Sequence, residues 1–521
     1  ASSPLRINHY GYLNQIIEKK SKKERNLELL RQQVAEDPRN SFVHFNLGAE
    51  YVRLGSLDQA LAEYQLAFKY LPDLTVEYAP FLLRNIANLL LAQGRFKEAL
   101  NILQEAKAAY PGYTDLLYLE GQAYLALYRY TEAAQAFQRC LALGENSRYT
   151  SQRGVGSYLA WMGLGSAYEG LGELGKAAQA YRSALRANER HLPALQKLGE
   201  LILPREERGE AVAYLKGLVD WQSRPEAALV LAGLFADQGY AEEAQELLRA
   251  ACFDSADGRA ALARARILTV LRQYREALAV LAAIPETSEA YAPGLCEAAF
   301  LQALLGQGEA AAAALRRAEA LGVQAGFLEG YRRVAAALAG FPPEEVGSGE
   351  TIMLGQTRQN VLGLLERLLA LQEFEAFERA LSALRSLGLP PEEEAVELGK
   401  LYHRRGFWEL AAAELLRAAR AGKGDAETFA ILGEVALKKE MPEEAEAFYR
   451  QAIELEPRRL AFYTALAGAL AAQNRYADAA EALRGALWYY PDSDLLRETL
   501  RLTEAMAREK KERGDAGVSG S

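Results

Sequence analysis

The stretch that decides the fold is YLAWMGLGSAYEGLGELGKAAQAYRSALRANERH, residues 158–191. It contains two apolar stripes with the spacing of amphipathic helices, separated by the pair Leu171 and Gly172. The first stripe consists of Trp161, Leu164, Gly165 and Tyr168, and the second of Ala177, Tyr181 and Ala184. Gly165 and Ala177 stand where larger side chains would hold two helices apart. The stretch therefore predicts a tightly packed helical hairpin, which needs neighbours to bury its apolar face.

This pattern, W-x2-L-G-x2-Y followed by A-x3-Y-x2-A, resembles the tetratricopeptide repeat (TPR), a unit of about 34 residues. The small residue that opens the second stripe recurs along the chain, mostly at that spacing: Ala60, Ala99, Ala133, Ala177, Ala211, Ala244, Ala277, Ala311, Ala411, Ala445 and Ala479. Phe377 takes this place in a weaker repeat. Two longer intervals, from 60 to 99 and from 133 to 177, indicate insertions at residues 75–79 and 145–154. We predict an all-α protein, a TPR superhelical solenoid of antiparallel helix pairs with about 12 repeats.

One degenerate slot interrupts the array between Ala311 and Phe377. Its first helix is predicted at about 327–339, but residues 340–350, GFPPEEVGSGE, contain two prolines and three glycines in place of a second helix. We therefore divide the chain into two arms. The predicted parts are an N-terminal segment (1–40), a first arm of about eight repeats (41–340), an irregular hinge (341–357), a second arm of four repeats (358–491), a capping helix (492–513) and a disordered tail (514–521).

Charge and hydropathy exclude several classes of partner. The chain has 60 basic and 69 acidic residues, a net charge of -9, which argues against nucleic acid as a partner. The basic run KKSKKER at 19–25 is interpreted as a solvated helix surface. No apolar run approaches the ~20 residues of a membrane span, and the start of the sequence lacks the layout of a signal peptide, so we expect a cytoplasmic protein.

The sequence also lacks the patterns of an enzyme. No pair of its four histidines has metal-ligand spacing with a carboxylate, and no P-loop, H-E-x-x-H, G-x-S-x-G or dinucleotide motif occurs. His44, at the usual tryptophan position of its repeat, is explained better by packing than by ligation. Cys140, Cys252 and Cys296 are far apart and have no C-x2-C spacing. The Gly-Val-Gly at 154–156 is read as part of an insertion loop rather than a phosphate site. We expect no catalytic residues, no metal and no cofactor.

The TPR resemblance implies a different kind of site. In that family the first helices line a concave wall, and four positions of each repeat face a bound peptide. In this sequence these positions are Phe42, Phe45, Asn46 and Ala49, then Phe81, Arg84, Asn85 and Asn88, then Asp115, Tyr118, Leu119 and Gln122. The partner-binding candidates among them are Phe45, Asn46, Arg84, Asn85, Asn88, Tyr118 and Gln122.

The residue types at these positions suit an extended polypeptide. Amides can bond a ligand's main chain in both directions, and aromatic rings provide large contact area. Alternatively, Asn46 and Asn88 simply follow the TPR consensus. The lysine-rich clamp with which some TPR domains hold an acidic C-terminal tail is not reproduced, because Phe45 and Ala49 stand where it would begin.

Residues 6–36, RINHYGYLNQIIEKKSKKERNLELLRQQVAE, resemble the junction in bacterial family 2 glycosyltransferases that carry a TPR tail. There an I-x-H-Y-G-Y-like strand ends the nucleotide-sugar domain, and a K-x-x-R-N-x-x-L-L helix pair leads into the repeats. The matching residues are Ile7, His9, Tyr10, Gly11 and Tyr12, then Lys23, Arg25, Asn26, Leu29 and Leu30.

The resemblance implies that the chain is the acceptor- or partner-binding C-terminal region of such an enzyme, without its transferase domain. His9 would then be either a remnant of the sugar-nucleotide site or an ordinary strand-end histidine. The alternative is a free-standing TPR adaptor or assembly scaffold with no enzymatic link. A protein or peptide ligand is expected in both cases, and a glycosyltransferase domain in cis only in the first.

Overall fold

A computed structural model describes residues 20–145, 148–251, 253, 257–340, 351–491 and 493–518. In these residues there are 27 helices and no strand. The first nine are α1 (Lys20–Glu36), α2 (Ser41–Arg53), α3 (Leu57–Lys69), α4 (Ala79–Ala92), α5 (Phe96–Ala109), α6 (Thr114–Ala126), α7 (Tyr130–Leu143), α8 (Tyr158–Gly170) and α9 (Leu174–Ala187).

The helices that follow are α10 (Leu192–Ile202), α11 (Arg208–Gly217), α12 (Pro225–Asp237), α13 (Ala241–Ala250), α14 (Gly258–Val270), α15 (Tyr274–Ala282), α16 (Tyr291–Leu304), α17 (Gly308–Ala320) and α18 (Ala325–Leu338). The last nine are α19 (Thr351–Ala370), α20 (Phe374–Arg385), α21 (Pro391–Arg404), α22 (Trp408–Arg420), α23 (Ala426–Lys438), α24 (Pro442–Leu455), α25 (Leu460–Ala472), α26 (Tyr476–Tyr489) and α27 (Asp494–Val518). Among the described helices, none combines the length and apolarity that crossing a bilayer requires.

The chain divides into two compact units. Unit 1 consists of Ala1–Ala194 with Asp492–Leu495, and unit 2 of Leu195–Pro491 with Leu496–Ser521. Within each unit, helices follow one another as antiparallel pairs, a first and a second helix per repeat, as the sequence predicts for a TPR solenoid. We call the side of a unit that its first helices form the first-helix face.

The hairpin α8–α9 shows why the repeat needs its small residues. A Cβ atom added to Gly165 would lie 2.4 Å from the ring of Tyr181, which is itself fully buried. Ala177 is also fully buried. Gly172 closes the turn with a positive φ of 73°, which glycine adopts without strain. Gly48 likewise packs against the ring of Tyr64, so the predicted register of the repeats is confirmed there as well.

The N-terminal helix α1 packs on the first repeat. Leu27, Leu30 and Val34 contact the apolar cluster of α2–α4, and the Arg31 guanidinium donates to the Tyr51 hydroxyl at 3.0 Å. At the other end, the fully buried Leu496 and the partly buried Leu500 of α27 pack on the cluster of α25 and α26. This helix therefore packs on the last repeat, and its role as a cap stays a prediction. The helix extends to Val518 and so includes residues 514–518 of the tail that was expected to be disordered.

The degenerate slot is built differently from an ordinary repeat. Helix α18 is present as predicted, and it packs against both α19 and α20. Thr357 of α19 donates to the Gly326 carbonyl at 3.1 Å, and Arg333 of α18 donates to the Ser386 hydroxyl at 2.6 Å. Residues 341–350 of the predicted hinge lie outside the described residues, whereas 351–357 belong to α19 and are helical. The division into two arms at this hinge stays a prediction. Along the sequence, the boundary between the two compact units falls between residues 194 and 195.

Candidate functional site

The predicted binding residues lie on three neighbouring first helices of unit 1. Phe45 and Asn46 are on α2, Arg84, Asn85 and Asn88 on α4, and Tyr118 and Gln122 on α6. A cavity of about 200 Å³ opens between α4 and α6. It is lined by Arg84, Asn85, Asn88, Asp115, Tyr118 and Leu119, together with Gln152 and Val155 from the insertion between α7 and α8. The structure therefore brings the middle part of the predicted site together.

The insertion returns onto the first-helix face and binds there through its main chain. We call residues 148–157 the insertion loop. Arg84 Nη1 donates to the Thr150 carbonyl at 3.1 Å, and the Tyr113 hydroxyl donates to the same oxygen at 3.2 Å. The Gln152 N–H donates to Asp115 Oδ1 at 3.0 Å. A carbonyl and an N–H of the insertion loop are thus bound by side chains of α4 and of the start of α6.

Side chains of the insertion loop add to these contacts. The Ser151 hydroxyl donates to Asp115 Oδ2, so one buried carboxylate accepts from a hydroxyl and from the N–H of the next residue. The ring of Tyr149 stacks on Tyr113 with centroids 4.7 Å apart. Burial raises the pKa of Tyr113 to about 12, so its hydroxyl remains a donor across the physiological range.

Glycines fix the end of the insertion loop. A Cβ atom added to Gly156 would lie 2.2 Å from the carbonyl carbon of Gly144, and the Gly154 N–H donates to Glu145 Oε1 at 2.7 Å. Val155, between them, is almost fully buried. The Gly-Val-Gly sequence thus packs on the chain itself, in the loop where the sequence placed it.

The three asparagines of the predicted site differ in what they already bind. The Asn85 amide accepts from Arg84 at 3.3 Å and donates to the buried Tyr64 hydroxyl at 3.3 Å. Asn46 and Asn88 make no side-chain hydrogen bond within the described part of the chain. Of these three asparagines, Asn46 and Asn88 can therefore bind a ligand without losing a described hydrogen bond, whereas Asn85 cannot.

An aromatic cluster lies at the α2 end of the same face. The ring of Tyr78 lies 5.2 Å from that of Phe42 and 5.4 Å from that of Phe45. Phe42 is 52% exposed. Tyr78 was missed by sequence reasoning because it belongs to the 75–79 insertion rather than to a repeat position. The insertion loop was missed for the same reason, although the long 133-to-177 interval indicated an insertion. Tyr113 was missed because it directly precedes α6 and is not one of the four positions that face a ligand.

Polar groups inside the repeats serve packing. Both ring nitrogens of buried His44 have acceptors, Glu63 Oε2 at 2.6 Å and the Pro38 carbonyl at 3.0 Å. Buried Glu120, where a leucine is usual, pairs with Lys107 and with Arg139.

The two thiols in the described part of the chain, Cys140 and Cys296, are buried. Burial raises the pKa of the Cys140 thiol to about 12 and that of Cys296 to about 11, which leaves little thiolate at neutral pH. No group of three or more histidine, cysteine or acidic side chains in the described residues is arranged to hold a metal ion.

Comparison with known sequences identifies the repeats. Two family profiles, each described as tetratricopeptide repeat, match this chain, one at residues 90–151 and the other at 150–190, 396–457 and 432–494. The helix pairs at these residues are tetratricopeptide repeats. No curated protein sequence matches the chain, and nothing links residues 6–36 to family 2 glycosyltransferases.

Several solved TPR structures are similar to the chain. One is the APC/C hetero-tetramer Cut9-Hcn1, with 16% identity over 88% of this chain and 95% of that chain and a TM-score of 0.31. MamA from Desulfovibrio magneticus RS-1 has 18% identity over 34% and 93%, with a TM-score of 0.29. YrrB, described as a TPR protein with an unusual peptide-binding site, has 20% identity over 39% and 97%, with a TM-score of 0.29.

Proposed function

We propose that this chain is a non-catalytic scaffold that binds an extended polypeptide on the first-helix face of unit 1. The observation that carries the proposal is that this face already binds the main chain of the insertion loop. Arg84 and Tyr113 bind the Thr150 carbonyl, and Asp115 binds the Gln152 N–H. A surface that pairs with both the donors and the acceptors of one main chain has the chemistry to bind another.

The rest of the face offers a partner contacts that the insertion loop does not use. Asn46 and Asn88 each present a free amide, which can donate to a carbonyl and accept from an N–H. Phe42, Phe45 and Tyr78 form an apolar surface for one large side chain of the partner, where aromatic contact area contributes most of the binding energy. The proposed ligand therefore runs along α2 and α4 toward the cavity.

Selection of peptides by the intact chain tests this proposal. A random peptide library displayed on phage is selected on the wild-type protein, and the enriched peptides are synthesised and titrated. We expect micromolar binding that weakens at least tenfold in the Asn46→Ala/Asn88→Ala variant and in Phe45→Ala. Asn101→Ala, an exposed asparagine on the second helix α5, is the matched control and should leave binding unchanged. Peptides that bind all four proteins equally would contradict the proposed face.

The acceptor-binding arm of a family 2 glycosyltransferase is the narrower form of this proposal and rests mainly on the resemblance of residues 6–36. Residues 6–19 lie outside the described residues. In the described part, Leu30 packs on the first repeat, while Leu29 is 50% exposed. The test joins the chain to its natural upstream sequence and compares sugar transfer with and without residues 41–521. Equal transfer to a protein acceptor, or an upstream sequence without a transferase domain, would favour the free-standing scaffold. Cytoplasmic location likewise stays a prediction.

A further inference from the structure

We infer that the insertion loop is a built-in occupant of the polypeptide site and that the partner binds by displacing it. The partner segment would then carry an aromatic residue, any residue, a serine or threonine, and a residue other than proline. This inference deepens the proposed function and rests on it. Its evidence is the set of contacts that Tyr149, Thr150, Ser151 and Gln152 make.

Asp115 sets the strongest requirement on the partner. The side chain is 3% exposed, and its two oxygens accept from the Ser151 hydroxyl and the Gln152 N–H. Arg84 Nη1 lies 3.6 Å from Oδ1. Displacing the insertion loop would leave this buried carboxylate with unmet acceptors, which is costly unless the partner replaces both donors. A hydroxyl side chain followed by a residue with an N–H replaces them with the same spacing.

Tyr113 and Arg84 set the rest of the pattern. The Tyr113 ring stacks on Tyr149, two residues before Ser151, so an aromatic ring at that position would take over the stacking. Arg84 and Tyr113 both donate to the carbonyl of the residue between them, Thr150. Its side chain makes no described contact and is exposed, so the intervening residue is free to vary.

The insertion loop occupies only part of the face, which gives a longer partner an advantage over it. Tethering gives the loop an effective concentration in the millimolar range. A partner must bind tightly enough to compete with the loop at that local concentration. Thr150 and Gln152 are exposed, and no hydrogen bond or ring contact is described between residues 148–157 and Asn46, Phe42, Phe45 or Tyr78. A longer segment would gain those contacts in addition to the ones it takes over from the loop. The loop would thereby select against ligands that match only its own short sequence.

The experiment uses the loop's own sequence as the probe. A fluorescent peptide Arg-Tyr-Thr-Ser-Gln-Arg, residues 148–153, is titrated into the full chain and into the variant Tyr149→Gly/Ser151→Gly. This variant keeps the loop length and the packed glycines Gly154 and Gly156. We expect the peptide to bind the variant at least tenfold more tightly than the wild type and to lose that gain when Asp115→Asn is added. Arg153→Ala, whose side chain makes no described contact, is the control and should behave as wild type.

A second measurement needs no substitution. Excess peptide added to the wild-type chain should speed hydrogen exchange at the Gln152 amide, which the Asp115 carboxylate protects. Three results would each overturn the inference. The peptide could bind wild type and variant with equal affinity, its affinity for the variant could stay the same when Asp115→Asn is added, or hydrogen exchange at Gln152 could stay unchanged at saturating peptide. The proposed function has a separate readout: peptides selected from the library would still depend on Asn46 and Asn88. If the selected peptides depend on Asn46 and Asn88 but bind the loop variant and the wild type equally, the proposed function stands and only the displacement of the loop is wrong.

Discussion

The chain contacts its own first-helix faces in both units, but with different chemistry. In unit 1 the insertion loop binds through a carbonyl, an N–H and a hydroxyl, and its residues Thr150 and Gln152 are exposed. In unit 2, Arg367 of α19 donates to the buried Glu297 of α16 at 2.5 Å and lies 4.6 Å from the ring centroid of Phe300. Arg266 of α14 donates to the other Glu297 oxygen at 3.0 Å.

This difference indicates which face is available to a partner. A few hydrogen bonds to an exposed loop can be exchanged for the same bonds to another polypeptide. A buried carboxylate between two arginines cannot be exposed without leaving charges unpaired, which is strongly unfavourable. This difference supports the proposal that the binding face lies in unit 1, and it favours a structural role for the contacts of α19 in unit 2.

The largest effect is expected from Glu297→Gln. The substitution leaves the guanidinium groups of Arg266 and Arg367 without their shared anion. We expect the free energy of unfolding of unit 2 to fall by about 2–3 kcal/mol, less than for a fully buried pair because Arg266 is 58% exposed. Guanidinium unfolding followed by circular dichroism measures it. The control is Glu289→Gln. Glu289 and its partner Arg259 are both largely exposed, 81% and 79%, so this substitution should cost less than about 0.5 kcal/mol. Equal costs for the two variants would remove the distinction between the units.

Gly156→Ala addresses the anchoring of the insertion loop. The added methyl would meet the backbone of Gly144, which cannot move aside as a flexible side chain can. We expect a loss of about 1–3 kcal/mol in unit 1 and faster hydrogen exchange at the Gln152 amide. Gly175→Ala in α9 is the matched control, because no atom lies within 4 Å of its added Cβ. Protection at Gln152 that survives Gly156→Ala would show that the contacts with Asp115, Arg84 and Tyr113 hold the loop without the packing of Gly156 on Gly144.

The repeats were predictable because each is a local pattern. Gly165, Ala177 and Tyr181 are close in sequence, and their spacing alone dictates a hairpin with one small and one aromatic contact. The insertions were also visible as long intervals. The surface on which an insertion packs could not be predicted. The hydrogen bond between Arg84 and Thr150 joins residues 66 positions apart, and Thr150 occupies no repeat position.

The same reason explains what was missed in unit 2. The pair of Arg367 with Glu297 spans 70 residues, and neither side chain signals its partner in the sequence. The Pro- and Gly-rich run at 340–350 predicts a hinge between two arms, and this division stays a prediction; the run did not indicate that α19 begins at Thr351. Local pattern thus predicts helices and repeats, whereas the use of the first-helix faces depends on tertiary contacts.

Tyr113→Phe gives a pH-dependent test of the insertion loop. Removing the hydroxyl loses its bond to the Thr150 carbonyl, which should cost about 1 kcal/mol at neutral pH. Burial raises the pKa of Tyr113 to about 12 in the folded protein, above the ~10 of an unfolded tyrosine. Its contribution to stability is therefore complete below pH 10 and is lost as the pH rises toward 12. Urea unfolding between pH 8 and 11.5 should show a shallower decline in the variant than in wild type. Tyr214→Phe, at an exposed position in unit 2, should keep the wild-type profile.

The smallest effects separate two asparagines one helical turn apart on α4. Asn85→Ala removes bonds to Arg84 and to the Tyr64 hydroxyl, and because Tyr64 is 2% exposed its hydroxyl would be left unpaired. We expect a cost of about 1 kcal/mol from Asn85→Ala. Asn88→Ala removes no described bond and should stay within about 0.5 kcal/mol of wild type. Peptide affinity should change in the opposite order, because Asn88 has its donors and acceptor free for a ligand whereas Asn85 has already used its own. Thermal unfolding and titration of one selected peptide on both variants measure the two effects. If Asn85→Ala weakens the peptide more than Asn88→Ala does, the ligand reaches the face only after the Arg84 network has rearranged, and Arg84 rather than the free amides would direct binding.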